Sequence, residues 1–281
     1  FSENYSRPAA VESLQDYFVK NNRVGISDVD TRALTRHIRS QGAMNAIVSS
    51  ETSDIEELKA KLKEVPSMEG LELSSKVSTK EAFFFGDESA SHRVAVLDLG
   101  VKKNILRCLA ERDCYLNVFP HDASFEEMEK WNPDAYMLSN GPGDPSVMEE
   151  QIKTVGKIID SGKPTFGICL GHQVLALSQG LTTSKMHNGH RGVNHPVKNL
   201  ATSRCEVTSQ NHGFVVDWAS AEANENIEIT HQHLNDDTLA GIKVLNKNAF
   251  SVQYHPESSA GPNDSRYLFD QFINNIKKHK S

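Results

Sequence analysis

No stretch of the 281-residue chain approaches the ~18 consecutive apolar residues of a membrane-spanning helix, and no signal-peptide pattern is visible. Cysteine is scarce. The four present, Cys108, Cys114, Cys169 and Cys205, are too few and too scattered for a disulfide framework in a chain this size, which points to free thiols and a reducing cytoplasm. No lysine-arginine cluster offsets the formal charge of −7, so nucleic acid is not an expected partner. No Gly-x-x-x-x-Gly-Lys-Ser/Thr loop or other clear nucleotide cradle is present. The twelve histidines crowd at His187, His190 and His195 and at His231 and His233, but no Cys/His grouping has zinc-finger spacing and no metal site is expected. Repeats and low-complexity tracts are missing too. What remains, 38% hydrophobic and 24% charged residues over a length sufficient for two compact domains, suits a globular protein.

The chain divides by pattern. Residues 1–75 read as a small, mainly helical domain. Its first helix has Pro8 in the first turn, Val11, Leu14 and Phe18 on one face, and an end near Asn21. A second spans Asp30 to Ser40, with Gly42 just past its end. Met44 to Ser49 reads as a short strand. A capping box of Ser53 and Glu56 opens a third helix, with Ile55, Leu58 and Leu62 inward and Pro66 beyond its end. Residues 76–91 form a linker whose Ser/Glu/Lys-rich character begins near Pro66; its Phe83-Phe84-Phe85 cluster is expected to pack against a domain. From His92 to Ser281, apolar strands at Arg93–Leu99, Tyr115–Phe119, Ala135–Ser139 and Pro164–Ile168 alternate with helices near Lys102–Arg112 and Val147–Ser161. That alternation predicts an α/β domain with an open, mostly parallel sheet flanked by helices. Shorter runs beyond Gly180, at Arg204–Ser209, Ile227–His231, Leu239–Val244 and Phe250–Gln253, suggest added, partly antiparallel strands before a final helix near Ser265–Lys278.

Two motifs carry chemistry. In Thr165-Phe166-Gly167-Ile168-Cys169-Leu170-Gly171-His172-Gln173 an apolar run ends at a cysteine bracketed by glycines, and an apolar helical pattern follows. A buried, inert cysteine is the ordinary outcome for a free thiol. The glycine bracket points instead to a nucleophile elbow, with a helix N-terminus aimed at the thiolate. The second motif is Tyr254-His255-Pro256-Glu257. Proline keeps His255 extended, and positions two apart then share a face. His255 is thus placed as base and Glu257 as its orienter. A backbone oxyanion site is expected at the amides of Leu170 and of Gly143, the latter in the turn Gly141-Pro142-Gly143.

With Ser139-Asn140-Gly141-Pro142-Gly143-Asp144-Pro145, these motifs resemble the class I (triad) glutamine amidotransferases over roughly residues 92–279. More closely, the chain resembles the small, glutamine-hydrolysing subunits of carbamoyl-phosphate synthetases. That likeness lies in Gly25–Arg39 with Gly42-Ala43-Met44, in Gly189–Val197 and in Ser209–Asp217. The resemblance implies a flavodoxin-like fold. It also implies hydrolysis of glutamine through a cysteine thioester at Cys169, His255 and Glu257, with ammonia passed to a large synthetase subunit for carbamoyl phosphate, arginine and pyrimidine synthesis. It places glutamine against Gly141, Gly143, Leu170, Gln173, Asn211, Gly213 and Phe214. ATP and magnesium are expected only on the large subunit, and no cofactor in this chain. The family also has a further N-terminal region supplying a serine contact to glutamine. This chain begins at Phe1 without methionine, so it is expected to be part of a longer product with a truncated small domain.

Three other readings stay open on the residues alone: a triad amidotransferase serving another synthase, such as anthranilate synthase; a non-catalytic regulatory subunit; and a cysteine protease. The complete set of nucleophile, base and orienter weighs against the second. The glycine-bracketed elbow weighs against the third.

Overall fold

A computed structural model describes residue 5 and residues 10–281, and divides the chain into two compact units, residues 1–67 and 68–281. The first contains helices α1 (Leu14–Lys20), α2 (Thr31–Gln41) and α3 (Ile55–Lys63). Local capping sets each start: Ser13, Asp30 and Asp54 accept hydrogen bonds from the backbone amides of Asp16, Ala33, and Glu56 and Glu57. Asp54, not Ser53, therefore caps α3. Gly42 follows α2 with φ +91°. The α1 helix starts later than its periodicity predicts, at Leu14, and Pro8 lies outside the described residues. Met44–Ser49 is not a strand. Ile55 is 63% exposed rather than inward, because this unit offers too little apolar surface to enclose it.

In the second unit, α4 (Ser74–Val77) and β1 (Phe83–Phe85) precede β2 (His92–Leu97), α5 (Lys103–Ala110), β3 (Cys114–Phe119), α6 (Phe125–Lys130) and β4 (Ala135–Leu138). There follow a 3-10 turn at Pro145–Val147, α7 (Glu149–Asp160), β5 (Thr165–Ile168), α8 (Leu170–Ser178), β6 (Thr183–Asn199) and β7 (Cys205–Val216). The unit ends with α9 (Trp218–Glu222), β8 (Ile227–His233), β9 (Leu239–Val244), β10 (Ala249–Val252) and α10 (Tyr267–Lys280). Ten strands form one sheet in the order β1-β3-β2-β4-β5-β10-β9-β8-β6-β7. Strands β3, β2, β4, β5 and β10 are mutually parallel, and the flanking pairs are antiparallel.

Side chains alternate between the two faces of each strand. Val94 and Val96 point into one buried layer with Leu109 of α5 and Phe269, Phe272 and Ile276 of α10. Ala95 and Leu97 point into the other with Ile158 of α7 and Val174 of α8. Phe166 and Phe250 stack across the parallel pair β5 and β10, centroids 4.4 Å apart. The segment expected as a linker is part of this unit. Phe84 stacks on Tyr115 at 5.3 Å as β1 joins the sheet edge, and Glu72 bridges to Gly143.

Candidate active site

Strand β5 ends in the middle of the sheet, where an open α/β fold forms its binding crevice. Cys169 follows directly with φ +54° and ψ −102°, a conformation non-glycine residues rarely adopt, and α8 starts at the next residue. The sharp reversal brings backbone against backbone. A Cβ on Gly171 would lie 2.3 Å from the Leu138 carbonyl oxygen, so that position admits only glycine. The Cys169 amide donates to Val252 O at 2.9 Å, tying the elbow to β10.

The same strand β10 delivers the second motif. His255 donates its backbone amide to Ser209 O at 2.9 Å, and its Nδ1 lies 2.8 Å from Glu257 Oε1. Glu257 is fully buried, with a salt bridge from Lys102 Nζ at 2.8 Å on the same oxygen. Burial favours the neutral acid, but the hydrogen bond with His255 and the Lys102 ammonium outweigh it and hold the carboxyl below its ordinary value. Burial also works against a charged His255. The negative charge available at Cys169 and the Glu257 carboxylate more than offset this, raising His255 to about 10. A carboxylate on Nδ1 leaves Nε2 as the nitrogen that exchanges protons.

Cys169 and His255 line one cleft of about 440 Å³, together with Gly141, Gly143, Gln173, Asn211, Gly213 and Phe214. These are six of the seven positions expected to contact glutamine. The seventh, Leu170, is buried and does not line the cleft; it opens α8 directly after Cys169. Gln173 donates to Phe214 O at 2.8 Å and to Gln253 Oε1 at 3.0 Å, which fixes its amide against the far wall. Gly143 has φ +108°, a turn its neighbours lock: Asp144 N donates to Leu71 O at 3.0 Å, and Gly70 N to Asp144 Oδ2 at 2.9 Å.

Sequence reasoning missed three contributors. Lys102 lines the cleft and grips Glu257; nothing in its sequence neighbourhood marks it. Arg191 lines it too, its Nη1 donating to Asn211 Oδ1 at 2.7 Å. Met68 borders the cleft from a segment read as connector.

The family model for class-I glutamine amidotransferases matches residues 95–275, and that for the carbamoyl-phosphate synthase small chain, CPSase domain, matches residues 1–48. A carbamoyl phosphate synthase small chain of Synechococcus is 45% identical over 97% of this chain and 72% of its own length. Those of Vibrio parahaemolyticus and Neisseria meningitidis serogroup B are also 45% identical, over 96% and 98% of this chain and 75% and 76% of theirs. Among solved structures, a candidate GMP synthase component from Thermoplasma acidophilum superposes with a TM-score of 0.59, covering 67% of this chain and 96% of its own. Its sequence identity is 21%, so that likeness is one of fold.

Proposed function

The chain belongs to the family of carbamoyl-phosphate synthase small chains, within the class-I glutamine amidotransferases, and on that premise we propose that Cys169, His255 and Glu257 hydrolyse glutamine and deliver the ammonia to a large synthetase subunit. The observation that carries this reading is the hydrogen-bonded pair of His255 and Glu257, 2.8 Å apart, in the cleft that holds the elbow cysteine.

The thiolate of Cys169 attacks the side-chain amide carbon of glutamine, and the carbonyl π-electrons move onto oxygen. The amides of Leu170 and Gly143 hold that oxyanion; one such donor is worth on the order of 3 kcal/mol. His255 protonates the nitrogen, ammonia leaves, and a glutamyl thioester remains. His255 then takes a proton from water, which attacks the thioester and releases glutamate and the thiolate. Gly141, Gln173, Asn211, Gly213 and Phe214 hold the substrate. Lys102 keeps Glu257 ionised, so the histidine stays oriented.

ATP chemistry belongs to the large subunit in this reading, and the product serves arginine and pyrimidine synthesis. A cytoplasmic setting suits the working thiol. All four cysteines are free, and among the described residues no helix is long and apolar enough to cross a membrane. The test is glutamate release from glutamine with and without a carbamoyl-phosphate synthase large subunit. We expect hydrolysis to rise at least about tenfold on adding it, a factor worth about 1.4 kcal/mol in the barrier. Hydrolysis that ignores this partner, or responds instead to the synthase component of anthranilate synthesis, would overturn the assignment.

A further inference from the structure

Behind the cleft, strands β6 and β8 bring together side chains far apart in the sequence. The rings of His190 and His233 stack almost parallel, 10° apart with centroids at 3.9 Å, and both turn a nitrogen toward the carboxylate of Asp236. His190 Nε2 lies 2.7 Å from Oδ2, and His233 Nδ1 lies 3.0 Å from Oδ1. Both ring nitrogens thus converge on one carboxylate, and a deprotonated ring nitrogen offers the lone pair that a metal ion takes.

The surroundings match what a metal asks of its ligands. A ligating histidine donates its other N–H to an acceptor, which fixes the tautomer. His190 presents Nδ1 to Gln210 Oε1 at 3.1 Å, and His233 presents Nε2 to His195 Nδ1 at 3.1 Å. Asp236 accepts from the Thr238 hydroxyl at 2.9 Å. The imidazoles are buried while Asp236 is 40% exposed, leaving a path for an ion. The three donor atoms lie within 4.8 Å of one another.

We propose that His190, His233 and Asp236 form a binding site for one divalent transition-metal ion of the zinc type. Two imidazoles and a carboxylate with room for water are a donor set suited to such an ion. Zinc–nitrogen and zinc–oxygen bonds are about 2.0–2.2 Å long, so the three side chains would adjust around the ion. The site abuts the cleft without belonging to it: His212, between Asn211 and Gly213, packs edge-on against His190 at 5.0 Å.

The test uses the full chain without an affinity tag, stripped of metal with chelator and titrated with zinc chloride in a calorimeter. One equivalent should bind. His233→Asn and Asp236→Asn should each weaken binding tenfold or more, while Cys169→Ser should bind as the wild type does. Absence of binding to the wild type, binding unchanged in both ligand variants, or loss of binding in Cys169→Ser would overturn the proposal. Should the ligand variants fail to fold, the histidine side-chain NMR signals of the wild type decide. Those of His190 and His233 should shift with one equivalent of zinc, and unmoved signals would overturn it equally.

Discussion

Cys169→Ala abolishes glutamate release from glutamine, measured with a large subunit present, by about 10,000-fold or more. The size follows from the absence of a substitute. Burial pushes the Cys108 thiol up and the Cys114 thiol up to about 12, and neither lines the cleft. Cys205 is exposed on β7 and also lies outside the cleft. Without a nucleophile, the oxyanion donors and bound glutamine remain but no thioester forms. The variant should still bind glutamine, because the proposed substrate contacts from Gln173, Asn211 and Phe214 remain and the sulfur's own contact is a weak one, 4.0 Å to Asn211 O. The backbone is expected to tolerate the change, since alanine meets the same φ of +54° that cysteine already meets. A calorimetric titration showing near-wild-type glutamine affinity alongside lost turnover would separate chemistry from folding. Retention of a tenth of the activity would remove Cys169 from the nucleophile's role.

Much of this site is legible in the sequence because its signals are local. Gly167, Cys169 and Gly171 occupy one reversal, and His255 and Glu257 sit two positions apart. Local chemistry of that kind survives whatever tertiary context surrounds it. The parallel strands are equally legible, since strands buried on both faces read as short apolar runs. What escapes is set by pairing between distant segments. Lys102 reaches Glu257 only because β2 and β10 deliver their loops to the same sheet end. The long strand β6 is rich in glycine, histidine and asparagine and resembles a loop. It becomes a strand because β7 and β8 pair with it around irregularities between Lys185 and His190 and between Gly192 and His195. The grouping of His190 with His233 and Asp236 is invisible to ligand spacing for the same reason. In the first unit the reverse holds. Helix caps there are local and nearly right, but a strand at Met44–Ser49 needs a partner, and none forms among the described residues.

His255→Asn lowers the turnover number for glutamine about 1,000-fold with little change in KM. The imidazole is asked to move protons twice, onto the leaving ammonia and off the attacking water, and asparagine can do neither. Substrate affinity is carried elsewhere in the cleft, so KM has little reason to change. Glu257→Gln provides the internal comparison. Glutamine's amide oxygen can still accept from His255 Nδ1, so the ring keeps its tautomer. What disappears is the negative charge that both the imidazolium and Lys102 face at 2.8 Å. Its loss should cost about 10- to 100-fold, because removing an orienting charge weakens proton transfer without deleting the group that performs it. The order, with His255→Asn far below Glu257→Gln, follows from base and orienter acting in series. Equal losses would mean that the two side chains act as one inseparable unit, and a greater loss for Glu257→Gln would make the carboxylate the proton carrier. Lys102→Met should resemble Glu257→Gln in direction and be milder, since a partly exposed ammonium is replaced in part by solvent.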